Sequence, residues 1–245
     1  MSKSAIGVVG IGEVGLAISK IFASNFVVLK KDLDFDELEE NKVEVLHICL
    51  PYNNNFEDTV IAQAKANKPD LIVIHSTVKP GTTKSIAKKV EIPIVHSPVM
   101  GTHPSLEKDV REFTKFIGPA DNKSKQLAIN HFRDVGIKTK VLESPLETEL
   151  GKLLDTTYYA WNIIFEKLTW QICNAAGANF ENVYTQFNQV YNQGYGKSKP
   201  NVLRPVLKHQ QGAIGGHCLI PNTQILASFT KTPLVDFLLE ENNKL

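Results

Sequence analysis

The feature that most constrains the fold is an alternation of short apolar runs with longer, polar-faced segments between residues 5 and 142. The apolar runs predict seven strands, at 5–9, 26–29, 43–50, 71–74, 92–95, 116–117 with its neighbours, and 138–142. Helical spacing of apolar residues predicts helices between them, at 14–23, 55–66, 82–90 and 123–135. Strands that are apolar on both faces and alternate with helices predict an α/β fold with a doubly wound, mostly parallel sheet.

The pattern changes after Leu142. Residues 147–176 contain no proline, and their apolar side chains recur at helical spacing, which predicts one long helix. Gly177 is a suitable end for it, and a second helix is predicted over 179–192. We therefore expect two domains, an α/β domain over 1–143 and a smaller all-α domain over 144–245 that is built on the long helix.

The composition argues against several classes of partner. Lys and Arg number 27 against 26 Asp and Glu, so the net charge of +1 predicts no nucleic-acid or membrane-surface partner. The cysteines at 49, 173 and 218 form no disulfide framework, and no histidine pair has the spacing of a metal site. The N-terminal residues do not read as a signal peptide. We expect a globular, cytoplasmic protein without a metal.

A glycine-rich turn follows the first predicted strand and reads Gly10-Ile11-Gly12-Glu13-Val14-Gly15. Gly10 permits the tight turn, Gly12 the close approach of a pyrophosphate, and Gly15 the packing of the next helix against the strand. Free N–H groups at the start of that helix attract the anion. The turn predicts a Rossmann domain that binds NAD or NADP, the alternative being a structural glycine turn without a cofactor.

The acidic residue Asp32 ends the next strand and is placed to accept hydrogen bonds from a ribose diol. Its charge repels a 2′-phosphate, which favours NAD. Lys30 and Lys31 stand beside it and are able to receive such a phosphate, so NADP stays open.

Four further segments accompany the glycine turn: His47-Ile48-Cys49-Leu50-Pro51, His75-Ser76-Thr77-Val78-Lys79-Pro80-Gly81-Thr82-Thr83, Glu149-x-x-Lys152 and Gly215-Gly216-His217-Cys218. With the turn, they make the sequence resemble the nucleotide-sugar dehydrogenases, the UDP-glucose and UDP-N-acetylmannosamine dehydrogenase group. The likeness runs from about residue 5 to about residue 230. It adds Pro51, Ser76 and Thr77 to the expected cofactor contacts.

The resemblance also implies catalytic roles. Cys218 matches the cysteine that attacks an aldehyde intermediate, after which a second hydride passes to NAD and the thioester is hydrolysed to a uronic acid. A thiol suits this task because its anion is a strong nucleophile and a good leaving group. Lys152 matches the lysine that stabilises the developing oxyanion, and Thr77 the threonine near the attacking water.

Substrate contacts are expected beside that cysteine. Gly215 and Gly216 indicate close approach of the backbone to a ligand. Arg204 is able to clamp a phosphate or carboxylate, or else to make a surface salt bridge.

The sequence departs from that family at several positions. Thr156 stands where the family has an asparagine four residues after the lysine, and Asn222 where it has an aspartate four residues after the cysteine. Asparagine keeps the shape of aspartate but is no base, so we expect these two residues to orient water or substrate. Both glutamates of the family's SP-E-F-x-x-E segment are absent from 97–103, where His103 is a candidate acid or base. We also expect the chain to lack the family's third domain, which helps to hold the UDP-sugar.

These departures fit a second resemblance. Pro98-Val99-x-Gly101, Phe116-Ile117-Gly118 and a lysine on the interdomain helix are similar to the β-hydroxyacid and 6-phosphogluconate dehydrogenases, in which the lysine alone assists one hydride transfer. Three functions therefore stay open. The first is an NAD-dependent dehydrogenase of a sugar alcohol, with or without UDP, that uses Cys218 and Lys152. The second is a two-electron dehydrogenase of a small hydroxy acid with Lys152 as acid and base, and the third is a protein that binds or senses NAD(H) without turnover.

One side of the long predicted helix carries a stripe of apolar residues that is typical of a buried surface. The residues that follow the helix are too few to cover this stripe. We therefore predict a homodimer through residues 147–176.

Overall fold

The computed structural model describes residues 4–39, 41–102 and 104–245 of the chain. They divide into two compact units, Met1–Lys152 and Leu153–Leu245. In the described part of the chain, no helix combines the length and the apolar character needed to cross a bilayer.

The first unit is built on an eight-stranded sheet of order β3-β2-β1-β4-β5-β6-β7-β8. Its strands are β1 (Ala5–Val9), β2 (Val27–Asp32), β3 (Phe35–Asp36), β4 (Val45–Ile48), β5 (Leu71–Ile74), β6 (Ile94–His96), β7 (Lys115–Pro119) and β8 (Thr139–Val141). Neighbouring strands are parallel except for the β2–β3 and β6–β7 pairs, which are antiparallel. The predicted, mostly parallel sheet is confirmed.

Five helices cover this sheet: α1 (Glu13–Phe22), α2 (Phe56–Asn67), α3 (Thr82–Val90), α4 (Leu106–Glu112) and α5 (Asn122–Arg133). Ile6 and Val8 of β1 pack on one face of the sheet with α1, α4 and α5. Leu46 and Ile48 of β4 pack on the other face with α2 and α3. Because helices cover both faces, the predicted doubly wound arrangement is confirmed. The strands β2 and β3 lie on one side of β1, and β4 to β8 lie on its other side. The strand order therefore changes direction between β1 and β4. In such sheets, ligands bind at the carboxyl ends of the strands at this point.

All the regular secondary structure in the described residues of the second unit is helical. It starts within α6 (Pro145–Ala176) and continues through a π-helical turn (Glu181–Gln186), α7 (Phe187–Tyr195), a 3-10 turn (Pro200–Val202), α8 (Leu219–Phe229) and α9 (Pro233–Lys244). Leu153 of α6 packs with Leu226 and Val235, and Ile164 with Leu238. The predicted all-α part built on one long helix is confirmed. The second predicted helix is present, but its first turn is π-helical.

Candidate cofactor and catalytic site

The three glycines of the turn between β1 and α1 answer to different demands. Gly10 has a φ of +88°, and a Cβ there would lie 2.7 Å from the carbonyl oxygen of Cys49. A Cβ on Gly15 would overlap the carbonyl oxygen of Gly10. A Cβ on Gly12 would meet nothing within 4 Å, and the φ of −71° at this position suits any residue. The fold therefore requires Gly10 and Gly15, whereas the open space at Gly12 is suited to a ligand that approaches the backbone.

The carboxylate of Asp32 lies against this turn. One oxygen accepts a hydrogen bond from the backbone N–H of Ile11 at 2.6 Å, and the other accepts one from the N–H of Leu33 at 2.8 Å. A carboxylate can accept about four hydrogen bonds, so the fixed group still has capacity for a diol.

Two acidic residues lie near the lysines beside Asp32. The Lys31 ammonium pairs with the Asp36 carboxylate, and the backbone N–H of Lys30 donates to the Glu37 carboxylate at 2.9 Å. The strand end is therefore lined by three carboxylates, and one of its two lysines is paired.

The other expected cofactor contacts lie at the carboxyl ends of neighbouring strands. Glu13 and Val14 begin α1, where the N-cap residue Gly12 offers no side-chain cap. Pro51 is exposed after β4, and Ser76 and Thr77 follow β5, buried and half-buried respectively. The loops after β1, β4 and β5 therefore bring these residues to one edge of the sheet.

Glu149 belongs to the Glu149-x-x-Lys152 motif, but the sequence assigns no function to it. The Glu149 carboxylate is buried at the start of α6, where it accepts hydrogen bonds from the N–H of Gly81 at 2.6 Å and of Thr83 at 2.9 Å. It thus caps the N-terminus of α3 from another helix, and its burial raises the pKa of this carboxyl. Lys152 is half-buried and lies three residues further along α6, so this contact fixes the segment that presents Lys152.

Cys218 is exposed and is the N-cap residue of α8. Gly215 and Gly216 precede it and are exposed, and Gly216 has a φ of +84° that favours glycine. An exposed thiol at the start of a helix lies where the helix dipole favours negative charge.

The two residues that depart from the family pattern contact each other. Asn222 lies one turn after Cys218 on α8, and its N–H donates to the Cys218 carbonyl at 3.0 Å. The Asn222 side-chain amide donates to the Thr156 hydroxyl of α6 at 3.3 Å, and both residues are buried. The two residues at which the sequence departs from the family pattern are therefore hydrogen-bonded to each other.

Arg204 lies in the segment before the glycines. The Asn192 side chain holds its backbone through two hydrogen bonds, of 2.8 and 2.9 Å, and its guanidinium lies 3.6 Å from the centre of the Tyr191 ring. His103, the candidate acid or base, lies outside the described residues.

The sequence does not predict a group of buried titratable residues in the first unit: His47, His75, His96, Lys115 and His131. The available signal was a histidine at or near the end of each of three consecutive apolar strands, β4, β5 and β6.

No protein-family model matches the chain. The UDP-N-acetyl-D-mannosamine dehydrogenase of Methanocaldococcus jannaschii is 28% identical over 154 residues, which cover 61% of this chain and 33% of that protein. The corresponding enzyme of Methanococcus maripaludis is 27% identical over 153 residues, again 61% of this chain and 33% of that protein. The matched segment therefore spans about a third of the length of these curated relatives.

Solved structures show the same fold. UDP-D-ManNAc dehydrogenase from Pyrococcus horikoshii superposes with a TM-score of 0.80 at 19% identity, covering 98% of this chain and 68% of that one. The Mycobacterium tuberculosis 3-hydroxyisobutyrate dehydrogenase in its complex with L-serine gives a TM-score of 0.69 at 14% identity, covering 99% and 93%. The resemblance to nucleotide-sugar dehydrogenases is thus confirmed in sequence and in fold.

Proposed function

We propose that this chain binds NAD at the turn between β1 and α1 and is a dehydrogenase of CH–OH groups related to the nucleotide-sugar dehydrogenases. The observation that carries the proposal is the geometry of the turn, where open space at Gly12 lies beside the fixed carboxylate of Asp32. The names of the sequence relatives support it. The bound dinucleotide supplies the hydride acceptor, and binding and proton handling fall to the side chains of this chain.

The residues of the turn fit a dinucleotide. The backbone N–H groups at Gly12, Glu13 and Val14 would hold the pyrophosphate, since the start of α1 attracts an anion. Asp32 would accept hydrogen bonds from the ribose diol, and Pro51, Ser76 and Thr77 would flank the nicotinamide half.

The charges at the end of β2 favour NAD over NADP. A 2′-phosphate would be placed near the carboxylates of Asp32, Asp36 and Glu37, and the Asp36 carboxylate already neutralises Lys31. Because these negative charges repel a phosphate, we infer that NAD is the cofactor.

We infer that the substrate is a sugar that carries a phosphate group, and a UDP-sugar is the first candidate. Stacking on Tyr191 orients the Arg204 guanidinium and leaves its in-plane N–H groups able to bind a phosphate. Gly215 and Gly216 let the substrate approach the backbone beside Cys218. Lys152 stabilises the oxygen from which the hydroxyl proton leaves, and Thr77 orients water or substrate.

One observation favours a second candidate, a two-electron dehydrogenase. Asn222 occupies the position one turn after Cys218, but an amide accepts no proton, and it is hydrogen-bonded to Thr156. In that case Lys152 serves as acid and base for a single hydride transfer to or from a small hydroxy acid, and Cys218 is not used. The number of NADH molecules formed per substrate molecule separates the candidates, since four-electron oxidation yields two and two-electron oxidation yields one.

The variant Lys152→Ala tests whether the chain is an enzyme of either kind. We expect turnover with UDP-sugars or hydroxy acids to fall by at least about a hundredfold, because the oxyanion loses its cation. NAD affinity, measured by calorimetry, should change by less than about threefold. Lys84 is exposed, so the variant Lys84→Ala is the matched control and should keep wild-type turnover. Tight NAD binding without turnover of any alcohol in the wild type would instead support an NAD(H)-sensing protein.

A further inference from the structure

A cluster of titratable side chains lies inside the first unit and has no part in the proposed reaction. It consists of His47 on β4, His75 directly after β5, His131 on α5, Lys115 on β7 and His96 on β6. None of these residues is more than 5% exposed. Among the described residues, no group of three or more His, Cys, Asp or Glu side chains is arranged to hold a metal ion. The histidines contact one another, the backbone and the Thr148 hydroxyl.

Three of the imidazoles form a continuous hydrogen-bond chain. Nε2 of His131 lies 3.0 Å from Nε2 of His47, and Nδ1 of His47 lies 2.9 Å from Nε2 of His75. Nδ1 of His75 lies 3.0 Å from the carbonyl oxygen of Ser97, where the chain ends. Phe22 of α1 stacks on the His131 ring with 4.4 Å between ring centres, which closes that side of the chain with an apolar surface.

The carbonyl at the end of the chain fixes every proton in it. An oxygen of this kind only accepts, so Nδ1 of His75 donates, and in a neutral imidazole Nε2 must then accept. His47 therefore donates from Nδ1 and accepts at Nε2, and His131 donates from Nε2. When all three rings are neutral, only one set of tautomers satisfies all three contacts.

The surroundings oppose any added proton. A proton on Nε2 of His47 or of His75 would face the hydrogen that the neighbouring ring already donates. Lys115 from β7 donates to the carbonyls of Ser97 and Pro98 at 2.9 and 3.1 Å, and its charge acts on His47 and His75. The other titratable groups that act on the cluster are Cys49 after β4, His96 on β6 and Lys152 on α6, and none of these described groups is a carboxylate.

Burial and these charges act in the same direction. Burial lowers the pKa of His131 to about 3 and, with the charge of Lys115, lowers the pKa values of His47 and His75 well below the ordinary range. The pKa of Lys115 itself falls to about 7, mainly through burial.

Two members of the chain adjoin the loops that are proposed to hold the cofactor. His75 is followed at once by Ser76 and Thr77, and His47 precedes the loop after β4. The fourth histidine continues the support, since Nε2 of His96 lies 3.1 Å from the Ser76 carbonyl and Nδ1 lies 2.8 Å from the Thr148 hydroxyl. The backbone at Ser76 therefore adjoins one ring of the chain, His75, and contacts a fourth imidazole, His96.

We propose that His47, His75 and His131 are positioning residues of the cofactor site, whose neutral hydrogen-bond chain holds the loops after β4 and β5 in the form that binds NAD and releases them in acid. This inference rests on the proposed function, because it assigns a regulation to the same site. An imidazole freed from the chain regains a pKa of about 6.5. Opening is therefore coupled to proton uptake, so NAD affinity is full above about pH 7 and falls as the pH drops below about 6.5.

The tautomers are tested by nuclear magnetic resonance of the ¹⁵N-labelled imidazoles near neutral pH. We expect His47 and His75 to carry the proton on Nδ1 and His131 to carry it on Nε2. Spectra that show His47 protonated on Nε2, or any of the three rings charged near neutral pH, would overturn the proposal.

The regulation is tested by calorimetric titration with NAD at about pH 7.5 and about pH 5.5. If one imidazole with a pKa of about 6.5 takes up a proton on opening, the wild-type Kd rises by up to about tenfold over this interval. The variant His131→Gln keeps an N–H donor for His47 but removes one of the three imidazoles that are able to take up a proton, so its Kd should rise by a smaller factor than that of the wild type. His217 is exposed, so the variant His217→Gln is the control, and its Kd should change with pH as that of the wild type does.

The outcomes separate this inference from the function on which it rests. An unchanged pH response in His131→Gln, with NAD still bound near pH 7.5, overturns the positioning chain alone. A wild-type protein that binds no NAD near pH 7.5 overturns the proposed function as well. If His131→Gln does not fold, the wild-type tautomers and the wild-type pH response decide the question.

Discussion

Each of the three cysteines lies in a different environment, and this decides which of them is able to react. Cys173 is buried beside Phe180 and Tyr184, and Cys49 is half-buried, with a thiol whose pKa burial raises to about 12. Cys218 is exposed at the start of α8. We expect iodoacetamide near pH 8 to alkylate Cys218 at least about tenfold faster than the other two, because access and a free thiolate set the rate.

Peptide mass spectrometry measures the three rates, and Cys218→Ser is the control in which fast labelling disappears. An NAD-dependent change in the Cys218 rate would support a thiol beside the cofactor. Equal rates at Cys218 and Cys49 would contradict the exposed position and remove the nucleophile from the proposed reaction, leaving the two-electron candidate with Lys152.

Among the elements, the turn between β1 and α1 separates what the fold requires from what a ligand requires. Gly15→Ala places a methyl group on the Gly10 carbonyl, so we expect a loss of several kcal/mol in the free energy of unfolding, of roughly the 3 kcal/mol or more that severe overpacking costs. Gly12→Ala meets no protein atom, so it should keep stability to within about 1 kcal/mol.

The same alanine at Gly12 fills the space where a pyrophosphate would approach, and we expect NAD affinity to fall by at least about tenfold. Urea denaturation and calorimetry on the two variants measure both effects. A Gly12→Ala protein with wild-type affinity would place the dinucleotide elsewhere, whereas an unfolded one would show that the turn is tighter than the structure has it.

The elements that the sequence predicted best are those whose signal is local. Strands 5–9 and 71–74 and helix 82–90 were predicted to the residue, because each is an apolar run or a periodic segment bounded by turn residues. The short β3 and α4 were not predicted, since a two-residue strand and a helix with two buried residues carry almost no periodic pattern. The site divides in the same way: the glycine turn is visible in the sequence, whereas the contact of Asn222 with Thr156 joins positions 66 residues apart.

For the whole molecule, the exposed face of α6 argues for association with a second copy. Leu154, Tyr158, Phe165 and Ile172 are 50–68% exposed, and intervals of four, seven and seven residues place them on one side of the helix. Contiguous apolar surface of this kind marks an interface in soluble proteins. The proposal of a homodimer through residues 147–176 therefore has a defined surface that mutation is able to disrupt.

We expect the wild type to sediment as a dimer at micromolar concentration and Phe165→Glu to sediment as a monomer, because burying an unpaired carboxylate in that interface costs several kcal/mol. The matched control is Leu33→Glu, since Leu33 is 98% exposed on the first unit and lies outside this stripe. The control should stay dimeric and keep its melting temperature. A wild type that is monomeric at this concentration would contradict the interface. If Phe165→Glu stays dimeric, the contact surface lies elsewhere than the α6 stripe.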